Sequence, residues 1–407
     1  MRVLVLNCGS SSVKFELIET SLERIEASEE KTLARGAIEK IGLGAAIIKY
    51  QAGDIDHKDS EQILEHRVAI EAVVRLLTDE EIGVIHRRED IDAVGHRVVH
   101  GGEKFANSVM ITEEVDKQIK DCIELAPLHN PANIKGYVIA QRILPDIPHA
   151  AVFDTAFHQT MPPHAYMYGL PFVLYQRHGI RRYGFHGSSH RFLISRAERL
   201  LDQPREKFKL VTIHLGNGCS MAAVRFGRSV DTTMGFTPLE GLLMGTRSGD
   251  LDPAIILHLI AKEELSLHEA QTMLNKHSGL LGVSGVSNDL RDLFTERAKG
   301  HEQAELAVEL FCYRLKKYIA AYLGVLGGAE AIAFAGGIGE HSPEVREKAC
   351  RDLGFMGLKI DKERNMTENG QEGLISTDDS PIKIFVIPTN EELVIARDTV
   401  RLIEGVI

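Results

Sequence analysis

The chain has 407 residues, of which 44% are hydrophobic and 26% charged, as expected for a globular protein with a full core and about two to three domains. Its net charge is −11, from 47 basic and 58 acidic side chains, which argues against nucleic-acid binding through phosphate neutralisation. The five cysteines are scattered without a CxxC pair, and a predicted strand begins at the N-terminus. We therefore expect reduced thiols and a cytoplasmic location.

The first predicted element is a hairpin. An apolar run from Val3 ends at Asn7, a turn containing Gly9 and three serines follows, and an alternating run begins at Val13. Backbone N–H groups, serine hydroxyls and the ammonium group of Lys14 could bind phosphate oxygens there. The carbonyl of Asn7 could face a metal ion or a phosphate-bound water. An ordinary hairpin with a polar turn explains the turn equally well.

Strands and helices are predicted to alternate over the first third of the chain. Apolar runs predict buried strands at 91–99 and 150–153, and helical periodicity is present at 63–77. Asp154 directly follows the second of these strands, where site residues are common, although it could equally cap the next turn. The stretch 155–190 is irregular and rich in aromatic residues, Pro, His and Gly, a composition typical of functional loops.

A second strand–turn–strand pattern lies at 211–224. Its Asn217 follows Asn7 by 210 positions (217 − 7), roughly half the chain length. Two halves that each begin with such a hairpin indicate a duplicated α/β domain with a ligand held between the copies. The apolar stretch 306–326 contains charged residues and repeats at helical spacing, which predicts an amphipathic core helix and no membrane span.

The stretch 331–344 predicts a strand, a glycine-rich turn and a helix start, with Ser342 as the N-cap and Pro343 in the first turn. Such a turn allows a flat ligand or a phosphate to approach the backbone. The stretch is not a GxGxxG fingerprint, and GxxxxGK[ST] is absent from the chain, so P-loop and Rossmann sites lose their main support. A turn that serves packing alone remains the alternative.

Two arginines stand in strand-end or glycine-rich contexts, Arg97 and Arg247. A guanidinium group is suited to binding a carboxylate or a transferring phosphoryl group, although either residue alone could be structural. Two histidine pairs have i, i+4 spacing, at 96/100 and 186/190, but HExxH is absent and a structural zinc site is not favoured. The segment 187–189 does not match GxSxG, so a hydrolase nucleophile is not favoured either.

These segments together resemble the acetokinase (acetate kinase) family, within the acetate and sugar kinase, Hsp70 and actin superfamily, and the resemblance runs essentially end to end. Its motifs are NCGSSSVKF at 7–15, GHRVVHGG at 95–102, FDTAFH at 153–158, RYGFHGSSH at 182–190, HLGNG at 214–218, MGFTPLEG at 234–241, MGTRSGDLDP at 244–253 and PTNEE at 388–392. Two positions depart from the family: Cys219 in the adenosine loop, and His341 where asparagine is common. Either could alter nucleotide affinity.

The resemblance implies two duplicated actin/Hsp70-like (ribonuclease H-like) α/β domains with an active-site cleft between them. Residues 1–153 and 388–407 would form the substrate and magnesium side, and 154–387 the nucleotide-binding and dimerisation domain. The implied reaction is reversible, direct in-line transfer of the ATP γ-phosphoryl group to acetate, giving acetyl phosphate and ADP for acetyl-CoA biosynthesis. Mg²⁺ would be required, with Mn²⁺ able to substitute. A cytoplasmic homodimer without nucleic-acid or membrane partners is implied.

The resemblance also implies roles for individual residues. Asn7 and Glu391 would bind the magnesium ion, and Arg97 the carboxylate of acetate. The catalytic residues would be Asp154, His186 and Arg247. The methyl group of acetate would lie against Val99, Leu128, Phe185 and Pro238. The phosphates and the nucleotide would be held by Ser10, Ser12, Lys14, His214, Leu215, Gly216, Asn217, Gly218, Asp289, Leu290, Arg291, Gly337, Ile338, Gly339, Glu340 and His341.

Three alternatives remain at this point. A propionate or short-chain fatty acid kinase would closely resemble this chain, but such kinases tend to carry a smaller residue at the position of Val99. A sugar kinase would need an aspartate base and a polar pocket. An ATPase that uses ATP only as a conformational switch would not need Arg97 and Arg247 to bind a carboxylate and a phosphoryl group.

Overall fold

The computed structural model describes residues 1–407, which form two compact units: 1–157 with 390–407, and 158–389. The strands are β1 Arg2–Cys8, β2 Ser12–Glu19, β3 Lys31–Glu39, β4 Ala45–Ala52, β5 Ile55–Gln62, β6 Ala93–Val98, β7 Val109–Met110, β8 His149–Phe153, β9 Lys209–Leu215, β10 Cys219–Arg225, β11 Arg228–Thr232, β12 Ala331–Ala335, β13 Gly373–Leu374 and β14 Lys383–Val386. The helices are α1 Leu22–Ala27, α2 His66–Leu77, α3 Glu113–Asp121, α4 Asn130–Ile143, α5 Pro163–Tyr166, α6 Phe172–His178, α7 Gly187–Leu200, α8 Pro253–Lys262, α9 Leu267–Lys276, α10 Gly279–Ser284, α11 Leu290–Ala298, α12 Glu302–Leu326, α13 Gly336–His341, α14 Pro343–Cys350, α15 Lys362–Thr367 and α16 Glu391–Ile403.

The first unit is built on an eight-stranded sheet of order β5-β4-β3-β2-β1-β6-β8-β7. Strands β1 to β5 form antiparallel neighbours, whereas β1, β6 and β8 run parallel. In the first hairpin, Asn7 pairs directly with Lys14. The carboxyl ends of β1, β6 and β8 therefore meet at one edge of the sheet, which is where open α/β sheets place their ligands.

The second unit repeats this layout in a six-stranded sheet of order β11-β10-β9-β12-β14-β13. Its hairpin β9–β10 is antiparallel, and β9, β12 and β14 run parallel. The order β3-β2-β1-β6-β8 thus corresponds to β11-β10-β9-β12-β14. The predicted α/β fold class and the predicted duplication headed by two hairpins are confirmed.

Helices cover both faces of the central strands, which explains why those strands are apolar throughout. In the first unit, Ile395 and Val400 of α16 pack with Val3 and Val5 of β1 on one face. Residues of α2 and α4 form the core on the opposite face. In the second unit, α12 contributes a buried stripe along its length, as predicted for an amphipathic core helix. No helix in the structure has both the length and the apolar character needed to cross a bilayer.

Two predicted elements differ in the structure, and three strands were not predicted. The helix expected over 63–77 begins only at His66, because the chain up to Gln62 is paired with β4 as strand β5. The glycine-rich turn after β12 is itself helical, as α13, and Ser342 then begins α14 without a side-chain cap hydrogen bond. Strands β3, β4 and β5, which replace the predicted simple alternation of strands and helices, were not predicted.

Candidate active site

Arg97 and Asp154 form the best-defined pair at the strand ends of the first unit. The guanidinium donates from Nε to Oδ1 of Asp154 at 2.9 Å and from Nη2 to Oδ2 at 2.7 Å. Its Nη1 lies 3.5 Å from Oδ1 of Asn7, the neighbour in the adjacent strand. Sequence order places these residues at the ends of β6, β8 and β1, and the parallel registers bring them together.

The electrostatics of this pair keep Arg97 charged. Burial by itself lowers the pKa of Arg97, but the carboxylates of Asp154 and Glu391 more than offset this, so its pKa lies above the ordinary value. The side chain of Asp154 is 1% exposed and that of Arg97 is 20% exposed. A bidentate pair of this kind fixes the plane of the guanidinium as well as its charge. The arrangement therefore presents an oriented cation at the sheet edge.

Glu391 and Asn7 are further oxygen-bearing side chains that act on this cation. Burial raises the pKa of Glu391, and the neighbouring carboxylate of Asp154 raises it further against the opposing effects of Arg97 and Lys14. A carboxylate whose charged form is disfavoured in this way would be stabilised by an added cation. No cluster of three or more His, Cys, Asp or Glu side chains in the chain is arranged to hold a metal. The donor set fits Mg²⁺, which commonly uses one or two carboxylates together with waters and substrate phosphates.

The turn of the first hairpin is held by residues that the sequence analysis did not identify. Nε2 of His66 lies 2.7 Å from the carbonyl of Gly9, and Nδ2 of Asn133 donates to the carbonyl of Cys8 at 2.8 Å. The Oδ1 of Asn133 also accepts from the backbone N–H of Val99 at 3.0 Å. Asn133 therefore ties the ends of β1 and β6 together. Nothing in local sequence marked either residue, since both lie on helices distant in the chain.

The predicted phosphate-binding side chains surround the same turn. The N–H of Gly9 donates to the carbonyl of Ser12 at 2.8 Å, which closes the turn. Ser10 lies exposed within it, and Lys14 is exposed on β2 opposite Asn7. The turn thus has the small residues and the nearby ammonium group expected of a phosphate site.

In the second unit, two of the predicted nucleotide-binding segments meet at one sheet edge. The segment 214–218 ends β9, and α13 follows β12, whose Ala335 pairs in parallel with His214. Gly336 has a φ of +74°, and a Cβ there would lie 2.7 Å from the carbonyl oxygen of Leu215, so glycine is required. The segment 337–341 forms the rest of α13, where Oε1 of Glu340 accepts from the N–H of Gly336 at 2.8 Å.

The third predicted nucleotide segment, 289–291, starts α11. Asp289 caps this helix by accepting from the N–H of Arg291 at 2.9 Å, and it also pairs with the exposed side chain of Arg291. Leu290 is buried beside it. The preceding Asn288 donates from Nδ2 to Oδ1 of Asn217 at 3.0 Å. This contact joins the segment to the turn 214–218.

Arg247 and His186 approach the same turn at Gly218. A Cβ at Gly218 would lie 3.3 Å from Nη1 of Arg247 and 3.5 Å from Cε1 of His186. Nη1 of Arg247 also donates to the carbonyl of Pro238 at 3.2 Å. The ring centroids of His186 and His214 are 4.4 Å apart. The structure therefore brings these two predicted catalytic residues to the turn 214–218.

His186 adopts an unusual backbone conformation. It is the N-cap of α7 with a φ of 57° and a ψ of 29°, in the left-handed region that non-glycine residues rarely occupy. Such a conformation costs on the order of 1–3 kcal/mol and is concentrated at functional sites. Its Nδ1 lies 2.8 Å from Oγ of Ser220. The surrounding structure therefore offsets the cost of this backbone conformation, and the contact with Ser220 orients the imidazole ring.

The four predicted methyl-pocket residues are divided between the units. Val99 and Phe185 are buried, at 7% and 1% exposure, whereas Leu128 is 52% exposed. Pro238 is partly buried and accepts from Arg247 through its carbonyl. Val99 is held one residue beyond β6 by the amide of Asn133. Val99 therefore lies just beyond the strand that carries Arg97, and the two residues are the ones predicted to contact the methyl group and the carboxylate of acetate.

Comparison with known proteins identifies the family. The acetokinase family model matches residues 2–397. Acetate kinases from Caldicellulosiruptor bescii and Halothermothrix orenii are 51% and 52% identical over 404 and 410 residues, covering 99% and 100% of this chain and all of each relative.

Solved structures give the same result. The crystal structure of Porphyromonas gingivalis acetate kinase has a TM-score of 0.93 at 46% identity, covering 99% of each chain. A propionate kinase from Francisella tularensis subsp. tularensis has a TM-score of 0.91 at 41% identity, covering 98% of this chain and 99% of that one. The expected family is therefore confirmed: the chain belongs to the acetokinase family.

Proposed function

We propose that this protein catalyses the reversible transfer of the γ-phosphoryl group of ATP to acetate, with acetyl phosphate and ADP as products. The family match and the full-length acetate kinase relatives support this reaction and the class of phosphotransferase with a carboxyl acceptor. The observation that carries the proposal is the Arg97–Asp154 pair, an oriented, partly buried cation at the ends of parallel strands. A carboxylate substrate needs such a group.

In this proposal, Arg97 binds the acetate carboxylate and reduces its repulsion from the phosphates. Acetate is already ionised at neutral pH, so the attacking oxygen requires no general base. Asp154 is engaged in two hydrogen bonds to Arg97 and therefore acts through alignment and electrostatics. Phosphoryl transfer through a loose transition state depends mainly on positioning and charge stabilisation, which these residues can supply.

Arg247 and His186, which lie beside the turn at Gly218, are assigned the role of stabilising the negative charge on the transferring phosphoryl group. Ser10, Ser12 and Lys14 are assigned to the phosphates. The nucleotide is assigned to the segments 214–218, 289–291 and 337–341. Two of these segments are joined by the Asn288–Asn217 hydrogen bond, which supports a common role.

Mg²⁺ is part of the proposal, with Asn7 and Glu391 as its protein ligands and Mn²⁺ able to substitute. When bound, the ion would neutralise charge on the phosphate oxygens. Glu391 holds a partly buried carboxylate at the start of α16, and Asn7 holds an amide oxygen at the end of β1. We assign the first unit to substrate and magnesium binding and the second unit to nucleotide binding and dimerisation. The predicted bounds, 1–153 with 388–407 and 154–387, stay a prediction, and Asp154 belongs to the first unit.

A propionate kinase is the second candidate, because the Francisella tularensis propionate kinase is nearly as similar in structure as the Porphyromonas gingivalis acetate kinase. One methylene group in an apolar pocket discriminates by only ~1–3 kcal/mol. A hydroxamate assay for acyl phosphate, with acetate, propionate, butyrate and glycerol compared in parallel, tests the proposal. We expect the highest kcat/KM with acetate; phosphorylation of glycerol without acyl phosphate would contradict the assignment.

A homodimer formed through the second unit is also proposed. Helix α8 has the sequence PAIILHLIAK but buries none of its residues, and Leu257 on it is 71% exposed. Helix α6 is likewise without a buried residue, with Phe172 58% exposed. Exposed apolar helices of this kind mark interfaces. Sedimentation equilibrium should give the mass of two chains. We also propose that the protein acts in the cytoplasm, in acetyl-CoA biosynthesis.

A further inference from the structure

Ser220 lies between two imidazole rings of the second unit. Its Oγ is 2.8 Å from Nδ1 of His186 and 2.9 Å from Nε2 of His190. The other ring nitrogen of His190, Nδ1, is 2.8 Å from Oγ1 of Thr212. That hydroxyl in turn lies 3.4 Å from the carbonyl of Ala222, to which it donates. A continuous hydrogen-bond chain therefore leads from β9 to His186.

The residues of this hydrogen-bond chain lie on central elements of the second unit. His186 and His190 are one helical turn apart at the start of α7, and Thr212 and Ser220 lie on the hairpin strands β9 and β10. Thr212, Ser220 and His190 each have 0% exposure. Buried polar groups are almost always hydrogen-bonded, so each proton in this chain must have a defined acceptor. The i, i+4 spacing of the two histidines thus allows both rings to hydrogen-bond to the same serine, Ser220.

The direction of the chain follows from the number of protons available. Burial lowers the pKa of His190 well below its ordinary value, and His158 and His214 lower it further, so the ring is neutral with one N–H. Because Thr212 donates to Ala222, it accepts from Nδ1–H of His190. The unprotonated Nε2 of His190 then accepts from the hydroxyl of Ser220. The oxygen of Ser220 remains as the acceptor for an N–H at Nδ1 of His186.

We propose that Thr212, His190 and Ser220 are positioning residues that hold the first proton of His186 on Nδ1, leaving Nε2 to gain a proton only when the ring becomes an imidazolium. The proposal rests on the proposed role of His186 at the phosphoryl group. Nε2 is on the Gly218 side of the ring, 3.6 Å from where a Cβ of that glycine would lie. The hydrogen bond at one ring nitrogen decides what the other can do.

This tautomer couples the charge of His186 to the ligand. Beside His186 lie His214, the guanidinium of Arg247 and, through Ser220, His190. The positive charge of Arg247 opposes a second proton on the ring, whereas bound phosphate anions favour it. His186 would then take up a proton from solvent when the phosphates bind and return it when they leave. It would donate to the phosphoryl oxygens only in this charged form.

The test is long-range ¹H–¹⁵N NMR on the full chain labelled with ¹⁵N-histidine, with the His186 signals assigned by His186→Gln. We expect the neutral ring of His186 to carry its proton on Nδ1. In Ser220→Ala this preference should be lost, and the alkaline limb of the kcat–pH profile should move down by about 0.5–1 pH unit, because the imidazolium loses one hydrogen-bond acceptor. Thr212→Val, which removes only a hydroxyl, should give a smaller shift in the same direction.

Ser229→Ala is the matched control. It removes an equally buried serine hydroxyl, 2.8 Å from Nδ1 of His158, that is not itself hydrogen-bonded to Thr212, His190 or Ser220, although the ring of His158 packs edge-on against His190. It should leave the tautomer of His186 and the pH profile unchanged. A proton on Nε2 of neutral His186 in the unmodified chain, or equal pH shifts in Ser220→Ala and Ser229→Ala, would overturn the proposal. Wild-type activity in His186→Gln would instead overturn the role of His186 in the proposed function, while the NMR result would still decide the tautomer.

Discussion

Both carboxylate oxygens of Asp154 accept hydrogen bonds from the guanidinium of Arg97, at 2.9 Å from Nε and 2.7 Å from Nη2. The two residues are 57 positions apart and are joined by the parallel register of β6 and β8. An aspartate held in this way is poorly placed to accept a substrate proton. It is well placed to fix the orientation of the group that binds the substrate.

Asp154→Asn therefore tests alignment against proton transfer. The amide can accept one hydrogen bond from Arg97 but loses the charge and the second acceptor, so the guanidinium should rotate more freely. We expect kcat/KM for acetate to fall by about 10- to 1,000-fold, with at least part of the loss in KM for acetate and little change in KM for ATP. Steady-state kinetics with each substrate varied would check this. Unchanged turnover would contradict the role assigned to Asp154.

Gly218→Ala tests the closeness of Arg247 and His186 to the nucleotide turn. The added methyl group would lie 3.3 Å from Nη1 of Arg247, so this guanidinium must move by a few tenths of an ångström. It would lie 3.5 Å from Cε1 of His186, which is an ordinary van der Waals contact. We expect kcat to fall by about tenfold or more, with little change in thermal unfolding. Gly324→Ala is the control, because nothing lies within 4 Å of where its methyl group would be and Gly324, on α12, is not assigned to the site. Equal losses in both variants would refute the assignment.

Val99→Ala tests substrate size. Removing two methyl groups should make room for the longer chain of propionate, and we expect the propionate-to-acetate ratio of kcat/KM to rise by about tenfold. Val98→Ala is the matched control, since Val98 is the last residue of β6 and is buried in the core of the first unit. The hydroxamate assay measures both ratios. An unchanged preference in Val99→Ala would show that selectivity lies elsewhere.

Glu16 predicts a pH dependence of stability. Burial and the nearby carboxylate of Glu392 raise its pKa from 4.5 to about 7, against the opposing effects of Arg35 and Thr32. The folded state thus binds this proton more tightly than the unfolded chain. The associated stability is fully present below pH 4.5 and is lost as the pH rises towards 7, by on the order of 2 kcal/mol.

Glu16→Gln should therefore flatten the fall in unfolding free energy between pH 4.5 and 7, as measured by urea denaturation without ligands. Glu39→Gln, on the adjacent strand β3 and paired with Lys49, leaves Glu16 in place and serves as the control. A wild-type slope in Glu16→Gln would show that other groups determine the pH dependence.

The parts of the fold that could be predicted from the sequence are those with strong local signals. The hairpin from Val3 and its counterpart at 211–224 combine apolar strands with glycine turns, and both are present as predicted. The helix over 306–326 was predicted by its periodicity. Strand β5 was missed because it is largely exposed and polar, so its sequence carries little alternation. Strand β4 alternates between buried and exposed residues, and this signal was not recognised.

The candidate site shows the same limit. Asp154 and Arg97 could be identified at strand ends, but their bidentate pairing depends on the register between distant strands. Asn133 and Ser220 act through contacts with residues 30 or more positions away, and no local pattern distinguishes them from ordinary polar residues. His190 was noted for its spacing from His186, yet its partners are hydroxyl groups rather than a metal.

The most direct measurement is the rate of acyl phosphate formation by Arg97→Ala with acetate and MgATP varied separately. If Arg97 binds the carboxylate, kcat/KM for acetate should fall by at least about 100-fold, while equilibrium binding of ATP by the second unit's segments changes little. A variant that forms acetyl phosphate with wild-type kcat/KM for acetate would contradict the account at its centre.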